Sequence, residues 1–285
     1  MACCSFRHIF LSIALLALPF YGVAQEQAEL LRPVTSAWTV EVGSAHVTDS
    51  YLSPIHYSGW TVGLTYDRWQ AMRFCPEKWV MNLNIHGRFS RTLNKAGNAQ
   101  MSDFAVSASW GMLYRFDLMQ NLRLRLGGST TLTGGAIYLA RNGNNPVSAK
   151  AALTVNLASL LQYNLRLGRL PITLSWQCSL PVFGMFFSPE YDELYYEIYL
   201  GNRKGLVHPA WWGNRFVIDN NVFADLRFGA TALRIGYHGY VLNSKVSNIV
   251  TREYTHAFVL GISGEWMSIG PKGLNENARI ISAFY

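Results

Sequence analysis

Trp60-Thr61-Val62-Gly63-Leu64-Thr65-Tyr66-Asp67 places large apolar side chains at every even position and small or polar ones at every odd position. Successive side chains of a β-strand point to opposite faces, so this segment has one greasy face and one polar face. Working outward, Trp79, Met81, Leu83 and Ile85 oppose Asn82, Asn84 and His86 in the same way. Phe104, Val106, Ala108, Trp110, Met112 and Tyr114 oppose Ser107, Ser109, Gly111 and Arg115. Leu153, Val155, Leu157, Leu161, Tyr163 and Leu165 oppose Thr154, Asn156, Ala158, Gln162, Asn164 and Arg166, and Ile172, Leu174 and Trp176 oppose Thr173, Ser175 and Gln177. Segments around 37–47, 121–133, 194–200, 214–228, 232–242, 254–266 and 278–285 alternate less cleanly. The pattern predicts an all-β antiparallel fold of about twelve strands, or ten if 182–213 forms an outer loop and another segment drops out.

A soluble sandwich would alternate too, but three features favour a transmembrane up-and-down β-barrel. The apolar faces carry aromatics near segment ends, as at Trp60, Tyr66 and Trp79, where a barrel has its interfacial girdles. Runs are longer than a soluble strand of ~5–6 residues and match the ~9–11 of a tilted membrane strand. Arg123 and Arg125 stand between Leu122, Leu124 and Leu126, which suits a wet lumen better than a dry core. Only 14% of residues are charged, against about 25% in ordinary soluble domains. In hydrocarbon, moreover, a sheet satisfies its backbone only by closing. Short connections at 73–77, 117–121 and 168–171 read as periplasmic turns, and longer polar ones at 91–101, 141–148 and 244–253 as outer loops; a count of twelve puts the short turn 229–231 on the outer side.

Arg7 and His8 precede an apolar run from Ile9 to Phe20, followed by Gly22 and Ala24. A short apolar run ending in small residues predicts a cleaved signal peptide over 1–24, with the barrel over 25–285 in the bacterial outer membrane. A membrane anchor would need ~20 apolar residues. Cys3 and Cys4 leave with the leader; Cys75 and Cys178 are expected to stay unpaired, since their spacing fits neither a disulfide framework nor a metal site.

Parity puts Arg115, Arg123, Arg125, Arg166, Arg227 and Arg234 in the lumen, with Asp67, Asp117, Asp219, Asp225 and Glu265 as partners. The formal charge of +7 then reads either as a self-neutralising ion-pair network or as the lining of an anion-preferring channel. It is too modest, and too spread around a lumen, for nucleic acid. The aromatic stretch 182–213 offers Phe187, Tyr191, Tyr195, Trp211 and Trp212 as an outer-loop site for glycan or lipid, or as part of an interfacial belt. His46, His56 and His86 share no ligand spacing, so neither metal nor cofactor is expected.

Three resemblances add to this reading. Ala278-Arg279-Ile280-Ile281-Ser282-Ala283-Phe284-Tyr285 resembles the terminal strand by which outer-membrane proteins address the barrel-assembly machinery, which implies that machinery as a partner through Tyr285. Pro181 to Tyr191 with Tyr195-Tyr196-Glu197-Ile198, Thr231 to Tyr237 and Thr255 to Ile262 resemble an uncharacterised barrel family of Bacteroides-type bacteria, a domain of unknown function. Asp192-Glu193-Leu194 departs from the small polar residues that family implies. That family implies fold and address but no activity. Gly236 to Ser244 is similar to outer-membrane phospholipases, which would implicate His238, Asn243 and Ser244. Alternation instead sends His238 into the lumen, with Ser244 about 20 Å further along. The functional expectation is a porin-like passive pore or structural surface protein in contact with the bilayer and lipopolysaccharide. The alternative is a lipid-ester hydrolase of phospholipase or lipid A deacylase type.

Overall fold

The computed structural model describes residues 30–284 except 144, 192, 202–203 and 268–278; the predicted leader over 1–24 therefore lies outside the described residues, as does Tyr285. Its strands are β1 (Leu30–Leu31), β2 (Val34–Asp49), β3 (Ser53–Ala71), β4 (Trp79–Asn94), β5 (Gln100–Met119), β6 (Leu122–Leu139) and β7 (Val147–Leu167). They continue as β8 (Leu170–Phe187), β9 (Val207–Ala210), β10 (Arg215–Phe228), β11 (Thr231–Val246), β12 (Ile249–Trp266) and β13 (Arg279–Ile280). A short helix, α1 (Tyr195–Tyr199), precedes β9.

Every neighbouring pair from β2 to β8 is antiparallel, β12 pairs with β2, and β8 pairs with β10, so the sheet closes on itself. Ten strands form the barrel; β9 is an eleventh that adds only to the last turns of β8, from Gly184 to Phe187. The barrel strands run from 14 residues in β10 to 21 in β7, longer than the ~9–11 that cross a bilayer.

The predicted parity holds around the wall. Trp60, Leu64, Phe104, Leu157 and Trp176 are exposed on the outside, whereas Thr61, Asp103, Asn156, Gln162 and Thr173 are buried inside. Outward aromatics pair at two levels: Trp79 packs edge-on against Tyr114 near the short-turn end, and Trp60 tilts against Phe89 toward the other end. An apolar exterior with aromatics toward both rims, around a polar interior, is the surface pattern of a membrane barrel.

Of the two expected counts, the alternative of ten holds for the closed barrel, with β9 as an extra strand. The segment 194–200 alternates on paper, yet it winds into α1, where the Leu194 N–H donates to the Glu197 carboxylate at 3.0 Å. Five residues are too few for a period of two to be told from a helical one. The segment 278–285 is not a barrel strand either. Arg279–Ile280 pair in parallel with Leu30–Leu31, and the chain from Ile281 turns into the lumen, so β12 closes the barrel. With ten strands, the turns after β3, β5, β7 and β10 all fall at the end where the chain enters and leaves, while α1 and β9 lie at the opposite end. The predicted outer loop 244–253 is corrected as well: β11 and β12 meet through Ser247 and Asn248, both at positive φ (48 and 64), as a two-residue hairpin turn requires.

Candidate functional site

The lumen divides into two halves. In the inner half, nearest the short turns, Phe284 and Ala283 are fully buried among Trp69, Val80, Leu113, Leu160 and Phe223. These side chains come from β3, β4, β5, β7 and β10, so the C-terminal residues meet half of the ten barrel strands. Phe284 stacks on Phe223 at 6.4 Å and tilts against Trp69 at 5.7 Å. The Arg125 guanidinium from β6 donates to the Phe284 carbonyl at 3.2 Å, and Arg115 to that of Ser282 at 2.8 Å. Arg234 from β11 lies 3.9 Å over the Phe223 ring and forms a two-pronged pair with Asp225 at 2.8 and 2.9 Å. Asp67 in turn accepts from the Trp69 indole at 2.6 Å and from Asn82 at 2.9 Å.

Arg125, Arg234, Asp67 and Asp225, anticipated as lumen residues, are therefore buried and engaged. Arg115 and Arg227 are half-buried near the inner rim. Two expectations shift outward: Arg123 pairs at 3.5 Å with an exposed Asp117, and Arg166 is exposed near the end of β7. The reason is strand length: parity is preserved, but the ends of β5, β6 and β7 extend past the packed interior. Cys75 and Cys178 are free, the first exposed and the second half-buried.

Residues that sequence reasoning did not single out dominate the outer half. Arg88 donates to Asp103 at 2.8 Å and to Glu253 at 2.6 Å, and Lys150 bonds the same two carboxylates. Above this cluster lies a cavity of about 1270 Å³, counting its opening to solvent, walled by Asp49, Tyr51, Lys150, Phe186, Arg215 and Tyr240 among others. A buried apolar cluster of Val47, Leu52, Tyr57, Met101, Ile137 and Leu139 flanks the outer end. Arg215 faces this cavity with its guanidinium 5.3 Å over the Phe186 ring, and its Nε has no hydrogen-bond partner among the described residues.

The aromatic outer segment is split. Phe187 lines the cavity and stacks against Tyr195 at 6.5 Å, and the Tyr195 hydroxyl accepts from the Ala149 N–H at 2.6 Å while its ring meets Tyr51 edge-on. Burial pushes the Tyr195 phenol above its ordinary range, so it stays protonated. Tyr191, Trp211 and Trp212 are exposed instead, with the Trp212 indole donating to the Pro181 carbonyl. Only Phe187 and Tyr195 of the five therefore reach the cavity region.

At the floor of the outer half, Glu41 of β2 bonds His86 of β4 at 2.9 Å and His238 of β11 at 2.6 Å. The other nitrogen of His238 bonds Asp219 of β10 at 3.2 Å. Both ring nitrogens of His238 are thus held by carboxylates and neither by a serine. Ser244 lies six register positions further along the same strand, opposite Arg215, so the hydrolase set suggested by the phospholipase resemblance does not assemble.

Fold and interior together define a class: a closed ten-stranded barrel with a charged lumen and a C-terminal segment packed inside it. The chain belongs to the family described as "Protein of unknown function (DUF3316)", which matches residues 9–273. No curated protein matches it in sequence. Among solved structures it is similar to the outer membrane protease OmpT from Escherichia coli, at 6% identity and a TM-score of 0.49 over 82% of this chain and 97% of that one. It is also similar to the translocator domain of the autotransporter NalP from Neisseria meningitidis, at 14% identity and 0.39 over 91% and 95%. A third likeness is to the COG4313 outer membrane channel from Pseudomonas putida F1, at 8% identity and 0.35 over 82% and 95%. At such scores none of these bears on the activity of this chain.

Proposed function

We propose that the protein is a bacterial outer-membrane barrel whose lumen is a one-mouthed binding chamber for a small anionic solute, open toward the long-loop side. The apolar exterior supports the membrane address, with bilayer lipid and lipopolysaccharide as its surroundings. The observation that carries the chamber is the contrast within the lumen: Phe284 and its neighbours pack the inner end, while the outer half keeps a larger cavity walled by both polar and apolar side chains. Arg215 supplies the recognition element. It makes no ion pair among the described residues, and a guanidinium is suited to two-pronged binding of carboxylate or phosphate. Phe186, Phe187 and Tyr240 beside it would cover the apolar part of such a solute. Delivery by the barrel-assembly machinery belongs to the same proposal; the residues leading to Tyr285 would be read before they dock in the lumen.

Planar-bilayer recording tests the reading. The intact barrel should be silent, and removal of 281–285 should give stepwise conductance. Steady conductance from the intact barrel would restore the porin-like pore. Benzoate and inorganic phosphate serve as probes of the chamber: binding that is lost in Arg215→Gln supports it, and binding indifferent to that change overturns it.

A further inference from the structure

Three donor side chains that can hold a metal ion meet in the lumen wall, and nothing in the binding-chamber reading uses them. Glu41, His86 and His238 each present a ligand atom, and all of these atoms lie within 4.8 Å of one another. They come from β2, β4 and β11, strands separated in the sheet by β3 on one side and β12 on the other. Convergence across intervening strands needs room. Gly63, directly opposite Glu41 on β3, provides it, since a methyl group there would collide with the Glu41 carboxylate.

From this geometry we propose that Glu41, His86 and His238 form a binding site for one divalent transition-metal ion of the zinc class. Two imidazoles and a carboxylate are a common donor set for zinc, with ligand distances of about 2.0–2.2 Å. The His86 Nε2, His238 Nδ1 and the two Glu41 oxygens already point at one another at hydrogen-bond distance. An ion replaces the protons now shared between them, and those protons pass to solvent as the ion binds. Asp219 completes the arrangement from outside: it holds the other nitrogen of His238 at 3.2 Å, as the outer-shell carboxylate of a metal-bound histidine does, and so keeps Nδ1 turned toward Glu41. Arg88 and Lys150, which cannot serve as ligands here, are held apart by Asp103 and Glu253. His86 and Asp219 both line the outer cavity, so a coordination position left open by the protein faces that space.

The test uses the full-length barrel without an affinity tag, stripped with chelator in detergent and titrated with Zn²⁺ alone. One ion per barrel should bind, and Co²⁺ in its place should give the visible absorption of a nitrogen- and oxygen-ligated ion of low coordination number. Asp219→Asn should keep the stoichiometry but weaken binding about 10–100-fold. His86→Ala and Glu41→Gln should abolish it. His46 and His56 stack at 5.5 Å near the outer rim and could bind an ion adventitiously, so His56→Ala is the control and should change nothing. If His86→Ala or Glu41→Gln does not fold, X-ray absorption on the zinc-loaded wild type must show two imidazoles and a carboxylate oxygen. Absence of stoichiometric binding, loss of binding in His56→Ala, or a first shell without two imidazoles overturns the site.

Discussion

The inner and outer halves of the same lumen are built from the same kind of wall but solve opposite problems. Inside, the cations are held by protein groups: Arg234 pairs with Asp225, Arg125 donates to the neutral Gln162 and to the Phe284 carbonyl, and aromatic rings pack around them. Outside, charge is gathered but the space between is left open, and Arg215 makes no ion pair among the described residues and stands over the Phe186 ring. The difference teaches that an alternating strand pattern specifies which side chains point inward, whereas occupancy of the space they face is set by a separate segment, here the C-terminal residues.

The contrast can be broken most forcefully at Arg234. Arg234→Met leaves Asp225 buried without its two-pronged partner, and removing one member of a buried pair typically costs 3–5 kcal/mol. Urea unfolding in liposomes should show a loss of about that size; a change below about 1 kcal/mol would mean that the inner half is wet. Next comes the wall itself. Leu157 faces outward at 53% exposure, so Leu157→Arg should cost about 2–4 kcal/mol near the bilayer midplane. The same assay showing no cost would remove Leu157 from the hydrocarbon zone.

Phe284→Ala tests the plug with a smaller expected effect, about 1.5–3 kcal/mol for the lost burial of one phenyl ring. Conductance events should accompany it if that ring closes the inner half, and a silent, equally stable variant would locate the closure elsewhere. Arg215→Gln is the smallest of the four in stability, within about 1 kcal/mol, because it breaks no ion pair among the described residues. A large loss would show that the outer half is as tightly integrated as the inner one, and that Arg215 is structural.

Much of the wall was legible in the residues. Trp60 to Asp67 and Leu153 to Arg166 alternate because one face meets an apolar medium and the other does not, and parity survives whatever else the chain does. For Arg234, parity left five candidate partners open, and the register of one hairpin chose among them. Gly229, at a φ of 69, makes a tight turn that fixes the register of β10 on β11, and this brings Asp225 directly opposite Arg234. Asn156, a polar-face position in the alternation, is buried and donates to Ser129 and Thr131, so the interior at that level is packed. The count of twelve exceeds the ten barrel strands at 194–200 and 278–285, where segments of eight residues or fewer alternate by composition alone.

The sequence by itself therefore determined the local rules: the period of two, the outward apolar face, the tight turns and the inward charges. Those depend on neighbours along the chain or across one hairpin. Only the tertiary structure decided that Glu41, His86 and His238 meet, that Arg88 finds Glu253, and that Phe284 enters the barrel. Each of these contacts joins strands whose distance in sequence carries no information about their distance around a closed sheet, because closure and stagger place them, and closure is a property of all ten strands at once.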